Sequence, residues 1–191
     1  MDSEDYIEGA ELAQLKALGL SGAALQAAHQ RKRDNETIGM LTFMAAQHVW
    51  ERDSTVDFVH TYLRLSTTLD KVAQRYTALT VLRQGLSYLD KCEPDFAPTA
   101  RSALLLALAK LLFRDDCKSE ALTICQRLMQ AYRTQASSPE SSTTVELKVS
   151  KEEAEDAWYL AGWTYIHCDN HSAAYAVWTE GRKACRHRKI A

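Results

Sequence analysis

The chain has 191 residues, 46% of them hydrophobic and 25% charged, with a formal net charge of −2, only 7 Gly and 3 Pro. A chain of this length can bury a core of its own, and its charge does not favour nucleic acid as the partner. No apolar run approaches the roughly 20 residues that a membrane-spanning helix needs, and the N-terminus is acidic, unlike a signal peptide. Alternating Val/Ile/Thr stretches are absent. We therefore expect a soluble all-α protein in the cytoplasm, or in both cytoplasm and nucleus.

Residues 1–53 are predicted to form N-terminal helices, either a cap on the helices beyond residue 53 or a degenerate copy of them. Two short helices are expected over residues 5–33, because an apolar stripe is followed by Gly19 and then by an alanine-rich run. Asp34 or Asn35 is expected to cap a third helix. Its apolar face should be mostly buried, and its members are Ile38, Leu41, Met44, Ala45, Val49 and Trp50.

Residues 54–92 are predicted to contain a pair of amphipathic helices. Ser54 and Asp57 have the spacing of a capping box, which indicates the start of the first helix. The turn near Asp70 and Lys71 has no Gly or Pro, so the boundary between the helices is poorly marked. The second helix carries on one side Val72, Tyr76, Leu79, Leu82 and Leu86.

Two further stretches indicate helices, separated from the first pair and from each other by changes in composition. Residues 92–98 contain two prolines and break the helical pattern, whereas the helix predicted from Thr99 to Arg114 is apolar on nearly all sides and should be buried. Residues 134–150 are rich in Ser and Thr and lack a periodic apolar face, so we expect a flexible insertion there. Ser150 and Glu153 then form a predicted capping box for the next helix.

Three stretches place residues of similar size at identical internal offsets. The sets are Tyr62, Leu65, Ser66 and Leu69 with Ala78, Leu82 and Gly85; Leu105, Leu108, Ala109 and Leu112 with Ala121, Cys125 and Leu128; and Trp158, Ala161, Gly162 and Tyr165 with Ala174, Trp178 and Gly181. The pattern resembles the tetratricopeptide repeat, a 34-residue helix–turn–helix unit, although Ala161 stands where Leu is usual and Trp178 where Phe is usual. Small residues at Gly162 and Ala174 let the two helices approach closely.

The resemblance covers roughly residues 59–188 and implies an α-solenoid of antiparallel helix hairpins, with about eight to nine helices in all. The three hairpins would occupy about 59–92, 102–135 and 155–188, within a repeat region spanning 54–188 that holds the insertion at 134–150. The resemblance also implies a concave groove for a peptide or helix of a partner. Its expected lining is Leu63, Leu106, Lys110, Phe113, Arg114, Tyr159, Trp163 and His167.

These groove residues favour an apolar peptide with an occasional acidic residue, because aromatic side chains alternate with two cations. In the subset of the family that grips the acidic C-termini of heat-shock chaperones, Lys and Asn stand where this chain has Leu63 and Thr67, so we do not expect that role. The alternative is that Tyr159 or Trp163 simply packs against the insertion or the N-terminal helices.

The sequence contains no catalytic, phosphate-binding or nucleotide-binding motif, so we expect neither enzyme activity nor a cofactor. Its five cysteines include no CxxC pair and are expected to be small buried hydrophobes in a reducing compartment. His167, Cys168 and His171 are close in sequence but lack a fourth ligand, so no metal site is expected either.

The main hypothesis is therefore a protein-binding adaptor or scaffold for complex assembly. One alternative is a dedicated chaperone for a basic client, favoured by the acidic N-terminus. Another is a structural subunit of a larger complex, in which the basic end of the chain, including Arg182 and Lys183, would contact RNA or a neighbouring protein. Too few residues follow Cys185 to form a capping helix. We therefore expect either that the outer face of the last hairpin is polar enough to face water, or that a partner, or a second copy of the chain in a homodimer, covers it.

Overall fold

The computed structural model describes residues 13, 14, 17, 22–51, 56–90, 97–137 and 147–186. All regular secondary structure within these ranges is helical, which confirms the all-α prediction for this part of the chain. The seven helices are α1 (Gly22–Glu51), α2 (Val56–Lys71), α3 (Arg75–Leu89), α4 (Ala97–Arg114), α5 (Lys118–Ser137), α6 (Lys151–His167) and α7 (His171–Arg186). We predicted eight to nine, but the first predicted helix lies largely outside the described residues.

The helices pack in chain order. Short turns join α2 to α3, α4 to α5 and α6 to α7, and the two members of each pair lie against each other as a hairpin. Helix α1 packs along α2, and α3 and α5 each contact the next helix in the chain. The first helices of consecutive hairpins also touch, α2 against α4 and α4 against α6. The result is a packed array of helices in which neighbours in sequence are neighbours in space.

The three hairpin turns are built in the same way. Each contains one residue with positive φ, at Ala73 (63°), Asp116 (64°) and Asp169 (57°). In each turn the next amide donates to a carbonyl five residues earlier, as Gln74 N does to Leu69 O at 2.9 Å. This is the bond of a Schellman motif, which satisfies carbonyls that the end of a helix leaves unpaired. The same chain reversal therefore recurs in each hairpin, without a glycine in any of the three turns.

The repeated positions form the core of the hairpins. Every position of the first two sets is buried, including the polar Ser66. In the third set Tyr165 and Trp178 are half-buried and the others are buried. The size pattern in the sequence therefore identified core positions correctly.

In the third hairpin, two glycines lie against two tryptophans. The Trp178 ring lies on Gly162, where an added Cβ would overlap the indole. A Cβ added at Gly181 would lie 2.6 Å from Cγ of Trp158, and one at Gly85 in the first hairpin would lie 2.8 Å from Cδ1 of Tyr62. Because protein interiors are close-packed, these contacts leave no room for a methyl group.

Helix α1 differs from its prediction. Asp34 and Asn35 do not cap a new helix, because one helix runs continuously from Gly22 to Glu51. Within it the Gln30 amide donates to Asp34 at 3.0 Å. The expected buried face is also only partly correct: Leu41 and Ala45 are buried, Ile38 is half-buried and Met44 is exposed, while the Val49 and Trp50 side chains lie outside the described residues.

One exposed aromatic side chain departs from its prediction. Tyr76, which was expected on the apolar side of α3, is 82% exposed. Tyr76 lies in the first turn of α3, before the buried run that starts at Ala78. The apolar side of α3 predicted from periodicity therefore began one helical turn too early.

The predicted flexible insertion, residues 134–150, is ordered at both ends, and its central residues 138–146 lie outside the described residues. Helix α5 continues to Ser137, and residues 147–150 form an extended segment with Leu147 and Val149 buried. Lys148 N donates to Pro98 O at 3.2 Å, at the start of α4. Two alternating apolar residues are too short a signal for periodicity, so the sequence pattern missed this packed segment.

The predicted capping box at the start of α6 is present. Ser150 Oγ accepts from Glu153 N at 3.1 Å, and the Glu153 carboxylate accepts from Ser150 N at 2.8 Å. The buried Ser102 hydroxyl lies 3.0 Å from the same carboxylate and 2.9 Å from Lys148 O. The cap therefore also fixes α6 to α4.

Replacing Gly162 with Ala should lower the free energy of unfolding by about 1–3 kcal/mol, the usual cost of overpacking, because the new methyl group must displace the Trp178 ring. Gly39→Ala is the matched control, since residue 39 lies in a helix with no atom within 4 Å of an added Cβ. That variant should gain about 0.5–1 kcal/mol from helix propensity. Urea denaturation followed by circular dichroism measures both. Equal stabilisation of the two variants would show that Trp178 is not held against residue 162.

Candidate interaction site

The predicted groove residues lie on the first helices of the three hairpins, but only some are accessible. Leu63 and Phe113 are half-buried, and Leu106 is only 7% exposed. The Phe113 ring packs edge-on against His167, with ring centroids 5.2 Å apart. These apolar side chains therefore mainly join neighbouring helices.

The two groove cations have partners within the chain. Lys110 Nζ lies 2.6 Å from Asp156 Oδ2, linking α4 to α6. Arg114 pairs with Asp70, linking α4 to α2, and Asp70 also accepts from Arg75 at 3.0 Å. We expected these cations to meet an acidic residue of a partner, whereas the structure pairs them with carboxylates of the adjacent first helices.

Exposed aromatic side chains of the groove set are concentrated in the third hairpin. Tyr159 is 61% exposed and Trp163 39% exposed. Their expected alternative, packing against the insertion or the N-terminal helices, involves segments that lie partly outside the described residues. The Trp163 ring lies edge-on to both neighbours, with centroids 6.1 Å from Tyr159 and 5.9 Å from Trp178. Such edge-to-face contacts hold the rings in defined orientations.

A surface pocket of about 660 Å³ lies between α6 and α7, beside these rings. Trp178 is oriented by a hydrogen bond from its indole N–H to Tyr159 O at 3.2 Å, and by its contact with Gly162. Trp158 is buried, with its ring packed edge-on against Tyr132 of α5 at 5.8 Å. The aromatic pocket, as we name it, is lined by Lys151, Glu155, Trp158, Tyr159, Trp163, Trp178, Gly181, Arg182 and Cys185.

The charged groups around the aromatic pocket are unevenly paired. Lys151 lies 3.6 Å from Glu155 one turn along the same helix. Arg182 is exposed and has no ion-pair partner among the described residues, and Lys183 beside it is also exposed. Glu180, the acidic residue of α7, pairs with Arg133 of α5. The exposed guanidinium of Arg182 therefore lies next to a mainly aromatic surface.

Sequence reasoning identified Tyr159 and Trp163 but missed the rest of the aromatic pocket. Trp158, Trp178 and Gly181 were assigned only to the core between the helices. The sequence signal for these residues was the presence of two glycines and two tryptophans in one hairpin. Each glycine lies against one of the indole rings, and both rings line the aromatic pocket. No pattern in the sequence distinguishes Arg182 from the other charges of the basic C-terminal end.

The described residues contain no group of three or more His, Cys, Asp or Glu side chains placed to hold a metal ion. His171 instead lies 3.3 Å from Asp169 in the exposed α6–α7 turn. The prediction of buried cysteines is correct for Cys125 and Cys185 but wrong for Cys117 and Cys168, which lie at hairpin turns and are exposed. Cys92 lies outside the described residues.

Comparison of the chain with protein-family models, curated proteins and solved structures gives no match. The resemblance to the tetratricopeptide repeat therefore stands on the residues and geometry of this chain alone. Among the described residues, no helix combines the length and apolarity that crossing a membrane requires.

At pH 8, iodoacetamide should alkylate Cys117 and Cys168 rapidly and leave Cys125 unmodified until the chain unfolds. Burial raises the pKa of Cys125 to about 12, so its thiol is both inaccessible and un-ionised, and only thiolates react. Peptide mass spectrometry before and after adding urea measures the three sites separately. Labelling of Cys125 in the native protein at the rate of Cys117 would contradict the packing of α5.

Proposed function

We propose that this chain is a non-enzymatic protein-interaction module, an adaptor or assembly scaffold, that binds a peptide or helix of a partner protein. The observation that carries the proposal is the aromatic pocket, because it combines a concave surface with exposed Tyr and Trp side chains. Tyr, Trp and Arg are enriched among the residues that contribute most to protein binding.

A tetratricopeptide-like architecture is part of the proposal. It is supported by three hairpin turns that share one positive-φ position and by buried side chains at the repeated positions. It is also supported by contacts between the first helices of consecutive hairpins. In such arrays the first helices line the recognition surface. The proposed site differs from our sequence-based one, since it is confined to the third hairpin.

The pairing of Lys110 with Asp156 and of Arg114 with Asp70 supports this narrower site. Cations that already hold neighbouring helices together are poorly available to a ligand, because exchanging one carboxylate for another yields little free energy. Among the described residues, Tyr159, Trp163 and Arg182 form no ion pair that joins one hairpin to another. They can therefore be covered by a partner without breaking a contact of the array.

A structural subunit of a larger complex is the second candidate, and one specific observation favours it. Helix α1 exposes Met40, Phe43 and Met44 on its surface. Apolar side chains grouped in this way often mark a protein interface. A chain with such surfaces on α1 and on the third hairpin is suited to a position between two neighbours.

Combining Tyr159→Ala with Trp163→Ala should abolish recovery of the partners that the wild-type protein retains from a cell extract. Each aromatic residue at the centre of an interface typically contributes about 2 kcal/mol or more, so losing both leaves little affinity. The measurement is quantitative mass spectrometry of proteins bound to immobilised chain. Tyr76→Ala is the matched control, because Tyr76 is an exposed tyrosine on α3 and away from the pocket.

Circular dichroism must first show that the double variant is as helical as the wild type. If the double variant and Tyr76→Ala retain the same partners as the wild type, the aromatic pocket is not the recognition surface. If instead combined replacement of Met40 and Phe43 removes the partners, the structural-subunit candidate is supported.

A further inference from the structure

The first helix of each hairpin carries a stripe of four side chains that ends three residues before the positive-φ residue of the turn. In α4 its members are Ser102, Leu106, Lys110 and Phe113. This stripe receives α6: Ser102 lies 3.0 Å from the Glu153 carboxylate, and Lys110 lies 2.6 Å from that of Asp156. Ser102 and Glu153 lie near the starts of their helices, and Phe113 and His167, whose rings are in contact, lie near the ends. Helices α4 and α6 therefore run parallel.

The equivalent stripe in α2 contacts α4 at its last position. Its members are Val59, Leu63, Thr67 and Asp70. Asp70, the last of them, pairs with Arg114 of α4. At the last position of the stripe the contact recurs in register: Asp70 of α2 meets Arg114 of α4, and Phe113 of α4 meets His167 at the equivalent position of α6. The joint between hairpins is therefore a repeated interface with a defined register.

The third hairpin has the stripe but, among the described residues, no helix that covers it. Its members are Glu155, Tyr159, Trp163 and Ile166. Tyr159 is 61% exposed, whereas Leu106 at the same position of α4 is 7% exposed. On the second helix of the hairpin, Arg182 is exposed, whereas its counterpart Met129 is 3% exposed. The aromatic pocket occupies the place at which the earlier hairpins hold a neighbouring helix.

We propose that the third hairpin binds one amphipathic α-helix of a partner protein, parallel to α6, in the position that a further hairpin would give to its first helix. The occupant carries an apolar stripe and at least one carboxylate beside it. The proposal rests on the interaction function proposed above and specifies the class of ligand for that same site.

Charge complementarity identifies the acidic flank of the occupant. At the preceding joint the incoming helix supplies carboxylates, from Glu153 and Asp156, to a hydroxyl and a cation of the receiving helix. At the aromatic pocket, Arg182 has no ion-pair partner among the described residues, and Lys183 follows it in the sequence. A carboxylate on the occupant would pair with Arg182 and add selectivity against basic helices.

A displayed library of 20-residue peptides tests the proposal. Every peptide has a fixed Leu/Ala stripe at helical spacing, and its flanking positions vary among Asp, Glu, Ser and Lys. Selection uses the full-length chain, with Tyr159→Ala/Trp163→Ala and Arg182→Glu as parallel targets. We expect wild-type binders with Asp or Glu on one flank, helical when bound, and at least about 10-fold weaker on either variant. On Arg182→Glu the selected flank should change to Lys.

Other results would overturn the proposal in distinguishable ways. Binders that ignore the aromatic replacements would show that the third hairpin is not a docking surface. Equal flank composition on wild type and Arg182→Glu would refute the acidic helix. A third result is that partners from the cell extract depend on Tyr159 and Trp163 and yet bind as extended segments. That result would refute the helical conformation of the occupant and leave the proposed function intact. Sedimentation showing a dimer that both aromatic replacements dissociate would assign the surface to a second copy of the chain instead.

Discussion

The close approach of the two helices within each hairpin is the constraint on which the rest of this structure depends. In the third hairpin it requires glycine on both helices, because Trp178 lies on Gly162 and Trp158 lies on Gly181. The same contacts orient the indole rings, one of which donates a hydrogen bond to Tyr159 O. Trp158 is also packed against Tyr132 of the preceding hairpin. The pocket is therefore built on the core of the array, which lowers the ordering cost of binding there.

A second set of contacts fixes each hairpin to the next. Ser102 contacts both the extended segment, through Lys148 O, and the capping box of α6, through Glu153. The pairs Lys110–Asp156 and Asp70–Arg114 tie consecutive first helices farther along their length. Because these polar groups satisfy one another, Lys110 and Arg114 are poorly available to a ligand.

The sequence predicted the fold better than the site, and particular residues show why. Core positions such as Ala78, Leu82 and Ala109 recur at fixed offsets, so periodicity alone locates them. Turn boundaries are harder, because Ala73 adopts positive φ without the glycine that usually marks it. Leu147 and Val149 are buried in a stretch whose composition resembles a flexible linker. Burial there depends on the start of α4, which is distant in sequence.

The site was only partly predictable, because the exposure and ion pairing of a side chain depend on which helix packs against its position in the repeat. Leu106 and Tyr159 occupy equivalent positions of the tetratricopeptide pattern, so the sequence comparison treats them alike. The same pattern gives no reason to expect an ion-pair partner for Lys110 within the chain. Both differences arise from the stacking of α6 on α4, a tertiary contact. Periodicity assigns residues to a face of a helix. It does not specify whether another helix covers that face.

The change in residue type along the repeated interface fits a surface that exists both free and bound. Where hairpins meet permanently, the chain has Leu106 and Met129, which are purely apolar and buried. At the same register in the last hairpin it has Tyr159 and Arg182. Tyr and Arg combine a large contact area with polar groups that water can solvate, so they tolerate exposure and still bind strongly when covered. At the positions where the second hairpin has core residues, the third hairpin therefore has the residue types that the proposed helix-binding site requires.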